Sequence, residues 1–344
     1  MRVPSATPVL VPPAFTRRPA LLLLGVLLLQ LAFIGSYIGA FHQPQPHAVP
    51  IAVVPVGGVD ETAADEVAQA LDELPGHPLE PTIETSQATA QRLVDHATID
   101  GWLEIGTGPT YQLKVASAEG GALAEAVSTV VQDYAANVGR GVDVTDVRPP
   151  LGGDARGLSA FYLAIGWVVG GYLAAAVLGV TMGGRAPTRD RALWRLGGLA
   201  LYSLLGGLDG ALMAGPVIGA LDSHVLGVAL FGALLVFATG AATLALQTWL
   251  GIAGVGVAVI LFVVIGNPSA GGAYPTALLP AFWANVGPWL PPGAGTSGIR
   301  GIVYFLNAGL GKACLALGIW AVAGGVLTLL GSGKHAAEAD IRAL

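Results

Sequence analysis

The chain has 344 residues, of which 53% are hydrophobic and only 11% are charged, and its formal net charge is −6 at pH 7. This composition is typical of a membrane protein and excludes an ordinary soluble domain. The acidic balance argues against a protein that binds nucleic acid. The single cysteine, Cys314, excludes an intrachain disulfide.

Six apolar runs have about the length that a transmembrane helix needs, roughly 20 residues. One run stands alone near the N-terminus, a long polar stretch follows it, and the other five lie close together. We therefore predict a polytopic α-helical membrane protein with six transmembrane helices and one extracytoplasmic α/β domain inserted between helices 1 and 2. The predicted helices cover residues 19–41, 158–182, 193–219, 224–248, 251–266 and 301–331.

The distribution of charge predicts the orientation. Arginines precede the first run and cluster in segment 183–195, whereas segment 42–157 holds 17 of the 22 acidic residues and 5 of the 16 basic ones. The positive-inside rule therefore places both termini in the cytoplasm and 42–157 outside.

Arginine outnumbers lysine 13 to 3, which is a bias of GC-rich bacterial genomes. We therefore expect the chain to lie in a bacterial plasma membrane.

These considerations divide the chain into five parts. The first apolar run is predicted to be an uncleaved anchor rather than a signal peptide, because its core exceeds about 15 residues and no clear A-x-A site follows. The predicted parts are a cytoplasmic tail (1–18), helix 1 (19–41), the external domain (42–157), a five-helix membrane domain (158–331) with a re-entrant external segment (267–300), and a cytoplasmic tail (332–344).

In the external domain, short apolar runs alternate with stretches of helical periodicity, which predicts a small α/β domain. Its histidines and serines lack the spacing of a catalytic or metal site, so we predict no enzyme activity, no cofactor and no metal. His42 and His47 are interpreted as solvated linker residues rather than metal ligands. The predicted elements are strands 51–55, 81–84 and 142–147, a hairpin of 101–105 with 111–117, and helices 60–74, 86–95 and 122–138.

Segment 183–195 contains a second predicted feature. Thr188 is a good N-cap for a short helix that carries basic and aromatic side chains. This helix is either an amphipathic helix at the membrane interface or an element that couples the protein to a cytoplasmic ATPase. The candidate coupling residues are Arg189, Arg191, Trp194 and Arg195.

Segment 267–300 is too apolar for an ordinary loop and too rich in proline and glycine for a span. About two helical turns are expected over 280–286, stopped by Gly287 and Pro288. We predict a pair of short re-entrant helices in the outer leaflet, with an amphipathic surface loop as the alternative. The residues expected to form this cap or path are Pro280, Phe282, Trp283, Trp289, Pro291 and Arg300.

Two charged residues fall inside predicted helices, Asp209 in the third and Lys312 in the sixth. Charges at this depth are usually paired or functional. Both lie about 15 Å from the outer ends of their predicted helices, so we predict a salt bridge, with a proton or ion relay as the alternative. The sequence Gly309–Lys312 resembles the end of a phosphate loop, but it lacks the first glycine and the final Ser/Thr.

The layout and several short motifs resemble ABC-2 type permeases, with the phage-infection-protein (Pip-like) group as the nearest branch. The resemblance implies an exporter in which two permease chains form a homodimer or heterodimer in contact with membrane lipid. A separate cytoplasmic ATPase would bind this dimer. The motifs are Ile51-Ala-Val-Val-Pro55, Gly101-Trp-Leu-Glu-Ile105, Leu279-Pro280-x-Phe282-Trp283, Trp289-Leu290-Pro291 and Ile299-Arg300-x-x-x-Tyr304-Phe305.

Two functions are therefore considered. The first is a permease subunit that exports an amphipathic or lipid-like substrate with energy from a separate ATPase. The second is an envelope scaffold or receptor without transport activity, whose external domain binds another cell-envelope protein.

Overall fold

The computed structural model describes residues 17–182 and 188–343. The chain is 65% helical and carries a small mixed β-sheet. In the described part, five helices are long and apolar enough to cross a membrane. The chain is therefore a multi-pass helical membrane protein. Residues 1–16 of the predicted tail and residues 183–187 of the predicted loop lie outside the described part.

In the chain, the sheet domain comes after the first helix and before the helical block. Two helices of that block, Arg189–Leu212 and Ala253–Val259, continue through π-helical turns at Met213–Val217 and Ile260–Ile265. In chain order the elements are α1 (Arg17–Phe41), β1 (Val49–Pro55), α2 (Glu61–Asp72), β2 (Leu79–Ile83), α3 (Gln87–Asp95), β3 (Gly101–Ile105), β4 (Thr110–Val115), α4 (Gly121–Asn137), β5 (Gly141–Asp146), α5 (Ser159–Thr181), α6 (Arg189–Leu212), α7 (Val225–Leu250), α8 (Ala253–Val259), α9 (Ala281–Val286), α10 (Pro291–Tyr304) and α11 (Leu310–Ala343).

The helical block is built around α7, which packs against α5, α6 and α11 and is the most buried of the five long apolar helices. Small residues bring the backbones close together. A Cβ added at Gly207 of α6 would collide with the backbone at Ala229 and Ala233, and one at Gly324 of α11 would collide with Ala241. In a bilayer, where water supplies no hydrophobic force between helices, such close packing stabilises the bundle.

Helix α1 stands apart from this block. Its described side chains are mostly exposed up to Ile34, and burial begins at Ser36. There the Trp283 ring packs on Gly39 and its Nε1 donates to Ser36 Oγ at 3.4 Å. The Phe41 ring also packs on the Tyr274 ring, with 5.5 Å between the ring centroids. Among its described side chains, the contacts of the first helix therefore lie mainly toward the end that leads into the sheet domain, and it also touches the π-helical turn after α8.

The sheet domain agrees element by element with the prediction. Its strand order is β2-β1-β3-β4-β5, with only the β3–β4 pair antiparallel. Helices α2 and α4 cover one face, and α3 covers the other. Asp60 and Ser86 cap α2 and α3 by accepting from Ala63 N (3.0 Å) and Thr89 N (3.2 Å). The alternation of short apolar runs with stretches of helical periodicity, together with the position of the hairpin, was thus sufficient to predict this domain.

The predicted last membrane helix, 301–331, is wrong at its start. Helix α10 continues to Tyr304, the chain turns over, and α11 begins at Leu310. Asn307 and Gly309 have φ values of 69° and 68°, which interrupt any right-handed helix. Hydropathy missed the turn because the residues that form it are mostly apolar.

The last apolar span ends at Ser332, close to the predicted end at Gly331. The helix itself does not end there, since α11 continues to Ala343. Most of segment 332–344 is therefore a helical extension of the last long apolar helix. Its sequence contains several alanines, a glutamate and an arginine, which favour a helix.

Residues 267–280, here called the crossover segment, climb from the helical block to the sheet domain. Leu278 is 2% exposed and belongs to the core between the sheet and helices α2 and α4. His47 N donates to Ala277 O at 3.0 Å. The expected helix over 280–286 is confirmed as α9, but the segment before it packs on the sheet domain.

Replacing Leu278 by Ala should therefore destabilise the sheet domain, although the residue is distant from it in sequence. The expected loss is about 2–4 kcal/mol, because a buried leucine leaves a cavity. Thermal unfolding and amide hydrogen exchange of α2 and α4 would measure it. The matched variant Leu204→Ala, at an exposed position of α6, should leave exchange in α2 and α4 unchanged. Equal exchange in both variants would contradict the docking of the crossover segment.

Candidate functional site

The side chain of Arg300 joins three parts of the molecule. It is 3% exposed and lies on α10, facing the sheet domain. Its Nη1 donates to Gly271 O at 2.7 Å, and its Nη2 donates to Gly272 O at 3.3 Å and Gly157 O at 3.4 Å. Among the described residues, no carboxylate oxygen lies within 4.0 Å of this guanidinium. Backbone carbonyls therefore solvate the buried charge.

A second contact fixes the end of α10 to the linker that follows β5. The Tyr304 hydroxyl donates to Asp154 Oδ2 at 2.8 Å and accepts from Leu151 N at 3.4 Å. Asp154 is 3% exposed, and its Oδ1 accepts from Ser159 N at 2.9 Å, which caps α5. Sequence reasoning missed both Asp154 and this role of Tyr304. The available signal was an acidic residue in a glycine-rich linker five positions before an apolar run.

A cavity of about 170 Å³, here called the junction cavity, lies between the sheet domain, α10 and the start of α11, and its lining combines charged and hydroxyl side chains with a larger apolar surface. Its charged lining consists of Glu119, Arg300 and Lys312, and its hydroxyl lining consists of Thr276 and Ser297. Glu119 comes from the turn before α4, and Lys312 comes from the first turn of α11. The cavity therefore brings together charged residues that are nearly 200 positions apart.

Two carboxyl groups at the junction favour their neutral forms. Burial raises the pKa of Glu119, and the charge of Arg300 partly opposes this shift. Burial, together with the charge of Glu119, raises the pKa of Asp100 to about 7. The junction therefore contains two carboxyl groups with raised pKa values, of which that of Asp100 is about 7.

A second concave feature, here called the apolar groove, has a volume of about 670 Å³. It lies between the first turns of α7, the end of α10 and the start of α11. Its walls are apolar, and its polar lining consists of two residues at the end near the sheet domain, His224 and Asn307. Its main apolar lining residues are Leu226, Leu230, Phe231, Leu234, Ile302 and Leu310.

The residues predicted to form the re-entrant cap lie along one path but do not form one cluster. Pro280 precedes α9, and Pro291 begins α10. Trp283 contacts the end of α1, and Phe282 is exposed. The sixth residue, Arg300, is the cross-link described above. The path from Pro280 to Pro291 therefore connects the first helix, the sheet domain and α10.

This path approaches the middle of α11. Trp320 Nε1 donates to Trp289 O at 2.8 Å, and Trp320 lies ten residues, or about 15 Å, beyond the start of α11. The Trp320 ring also packs at 5.5 Å from Phe262, in the π-helical turn after α8. Helix α10 therefore starts beside the middle of the bundle and rises toward the sheet domain.

The coupling residues do not form a separate short helix. Thr188 Oγ1 accepts from Arg191 N at 3.3 Å, so the predicted cap is confirmed. The helix that it starts is α6 itself, which continues to Leu212 without interruption. Arg189, Arg191 and Trp194 are exposed on its first turns, whereas Arg195 is buried. The prediction of a separate short helix was wrong, because no proline lies between the basic first turns and the apolar run, and the helix continues from one into the other.

The structure does not contain the predicted salt bridge between Asp209 and Lys312. Lys312 lies in the first turn of α11, where its Nζ sits 5.8 Å from the centre of the Trp289 ring. Asp209 lies on an exposed face of α6, eight residues, or about 12 Å, before Val217. The similar depths assumed for the pair depended on a last helix that starts at 301, and α11 starts nine residues later.

No family model matches the chain, and no curated protein or solved structure matches it significantly. The resemblance to ABC-2 type permeases therefore stays a prediction. In the part of the chain that the structure describes, no three His, Cys, Asp or Glu side chains come together as a group that could hold a metal ion.

The raised pKa of Asp100 predicts a pH effect on stability. An unfolded aspartate ionises near pH 3.9, and this one ionises at about 7 in the folded state. Between these values the folded state binds more protons, so the free energy of unfolding falls as pH rises. Asp100→Asn should remove this dependence and raise Tm at neutral pH. Thermal unfolding from pH 4 to 8 would measure it.

The control for this experiment is Asp133→Asn, which changes an exposed aspartate of α4. This variant should keep the pH dependence of the wild-type protein. If Asp100→Asn and Asp133→Asn have the same pH profile, burial of Asp100 does not contribute to the pH dependence.

Proposed function

We propose that this chain is the membrane permease subunit of an ABC-2 type exporter, which moves an amphipathic or lipid-like substrate out of the cell. The position of α10 supports this most. Its 14 residues give a length of about 21 Å, less than the roughly 30 Å of a bilayer core. Nearly all of its residues are nevertheless buried. Interrupted, buried helices of this kind line substrate paths in transporters.

The apolar groove supports a lipid-like substrate. Its volume of about 670 Å³ falls within the range of pockets that hold organic ligands, roughly 300–1,000 Å³. Its apolar walls and its polar end at His224 and Asn307 match a molecule with a long apolar part and a polar head. A soluble, highly charged substrate would find few partners there.

The proposed topology has six spans, with Ala253–Ile265 as the fifth. This helix is shorter than the other five, so its flanking residues would complete the crossing. Both termini would be cytoplasmic and the sheet domain external, in a bacterial plasma membrane. The arginines at the start of α6 support this orientation, because that end of the helix lies away from the sheet domain. Arg17 and Arg18 begin α1, at the end opposite to the one that leads into the sheet domain.

Energy for export would come from a separate cytoplasmic ATPase. Arg189, Arg191 and Trp194 are the candidates for contact with it, because they are exposed at the end of α6 away from the sheet domain. Arg195 is buried and would instead support the helix from inside. We further propose that two permease chains form a homodimer or heterodimer around a path in contact with membrane lipid.

Purification of the chain from its native membranes tests the ATPase. The complex should hydrolyse ATP, and the double variant Arg189→Ala/Arg191→Ala should lose that activity by releasing the ATPase. The matched control Arg92→Ala, which removes an exposed arginine of the sheet domain, should keep it. A wild-type preparation without ATPase activity, or a double variant with full activity, would contradict the proposal.

A second experiment tests the apolar groove. A Cβ added at Gly227 would meet only Ile302, at 3.5 Å, so Gly227→Leu should fold and occupy the groove. Export of a fluorescent phospholipid from proteoliposomes that contain the complex should fall about tenfold, if the new side chain displaces about two CH₂ groups of the substrate.

The control for the groove experiment is Gly318→Leu on α11, where a Cβ would meet no atom within 4 Å. This variant should export the phospholipid at the wild-type rate. Equal export by the Gly227 and Gly318 variants would exclude the groove from the substrate path.

One observation favours the scaffold function as a second candidate. Strand β5 lies at the edge of the sheet, and most of its residues are exposed. Exposed edges can pair with a strand of another protein. If the purified chain forms a stable assembly with another envelope protein and lacks ATPase activity, this second function replaces the first.

A further inference from the structure

The junction cavity has features that the export function does not require. Its volume of about 170 Å³ equals that of roughly five or six water molecules. It is below the roughly 300 Å³ of pockets for larger organic ligands. A ligand in this cavity must therefore be small, or it must be one polar group of a larger molecule.

The start of α11 presents positive potential to the cavity. Gly309, in left-handed backbone with φ 68°, turns the chain into the helix, and Gly309, Lys312 and Ala313 all line the cavity. The first amides of a helix have no partners within the helix, and its N-terminus carries about half a positive charge. Gly309–Lys312 lacks the first glycine and the final Ser/Thr of a phosphate loop, so the attraction for an anion comes from the helix start and from Lys312 rather than from that motif.

Arg300 adds an independent feature to the lining. It is 3% exposed, lines the cavity, and has no carboxylate oxygen within 4.0 Å among the described residues. Its Nε makes no hydrogen bond in the described part of the structure. A buried cation without a contacting anion is costly. Glu119 and Asp154 act on its charge from a greater distance, and an anion in the cavity would add a countercharge in direct contact.

We propose that the junction cavity binds one phosphate-sized anionic group, held by Lys312, the N-terminus of α11, the Thr276 hydroxyl and the charge of Arg300. The group is either a free oxyanion or the phosphate of a lipid. Three positive elements line a space of the right size, and among the described residues Glu119 is the only acid that lines it. Because Thr276 belongs to the crossover segment, the anion would link that segment to α10 and α11.

Glu119 makes the binding depend on pH. The ionisable groups near it are Arg300 on α10, Lys312 on α11 and Asp100 before β3. Burial raises the pKa of Glu119. At low pH its neutral carboxyl tolerates the anion, and as pH rises its negative charge repels the anion. Affinity should therefore fall with rising pH.

Titration of the purified full-length chain in maltoside micelles tests the site. Inorganic phosphate, against potassium chloride of equal ionic strength, tests a free oxyanion. Phosphatidic acid, against the diacylglycerol with the same chains, tests a lipid phosphate. Either probe should raise Tm with a saturating dose dependence. Binding should weaken about tenfold or more in Lys312→Met, because a hydrogen bond to a charged group is lost.

The matched control is Lys114→Met, which removes a half-buried lysine of β4 whose Nζ donates to Thr145 Oγ1 at 3.2 Å and which does not line the cavity. It should bind both probes like the wild-type protein. Neither Lys312→Met nor Lys114→Met touches the carbonyl contacts of Arg300, so both variants should fold. A wild-type Tm that neither probe raises, an unaffected Lys312→Met, or an equal loss in Lys114→Met would overturn the proposal.

The role of Glu119 is tested with sulfate, whose charge is constant from pH 5 to 8. Affinity should fall with rising pH in the wild-type protein and should fall less in Glu119→Gln. An unchanged pH dependence in that variant would exclude Glu119. The assay measures binding without an ATPase or transport, so its failure leaves the export function untested, and a chain without an ATPase can still bind the anion.

Discussion

The arrangement of the sheet domain on the helical block depends on how the positive charge of Arg300 is buried. Removing a guanidinium from water costs several kcal/mol unless polar partners replace the water. Three backbone carbonyls do so, one from the linker before α5 and two from the crossover segment. Because carbonyls cannot move independently of their chains, the buried charge fixes both segments against α10. Arg300 and Gly271 also line the junction cavity, so the same contact forms part of its wall.

Helix α10 separates two environments with different chemistry. Gly293, Ser297 and Arg300 follow a helical spacing of four and three residues and line the junction cavity. Ile302 lines the apolar groove. A helix that is too short to cross a bilayer thus borders both the cavity that contains the charged side chains and the apolar groove. The flanking turns, at Pro291 and after Tyr304, allow this short element to sit inside the bundle.

Local signals in the sequence were sufficient for the sheet domain and for most of the long helices. Thr188 predicted a helix start that the structure contains, and the helical periodicity of 60–74 and 86–95 predicted two more helices that it contains. The errors arose where hydropathy hides a change of direction, as in the apolar turn before Leu310. The contact of Tyr304 with Asp154 joins residues 150 positions apart, and no local pattern encodes it. The misplaced start of α11 also produced the false pairing of two intramembrane charges.

The weak attachment of α1 has a mechanical consequence. Up to Ile34 this helix has mostly exposed side chains, so bilayer lipids rather than protein would surround it and set its tilt. A helix adjusts its tilt to the thickness of the bilayer. Seven residues separate the end of α1 from β1, a central strand of the sheet. A change in bilayer thickness that tilts α1 would therefore pull on β1, because only these seven residues separate the helix from the strand.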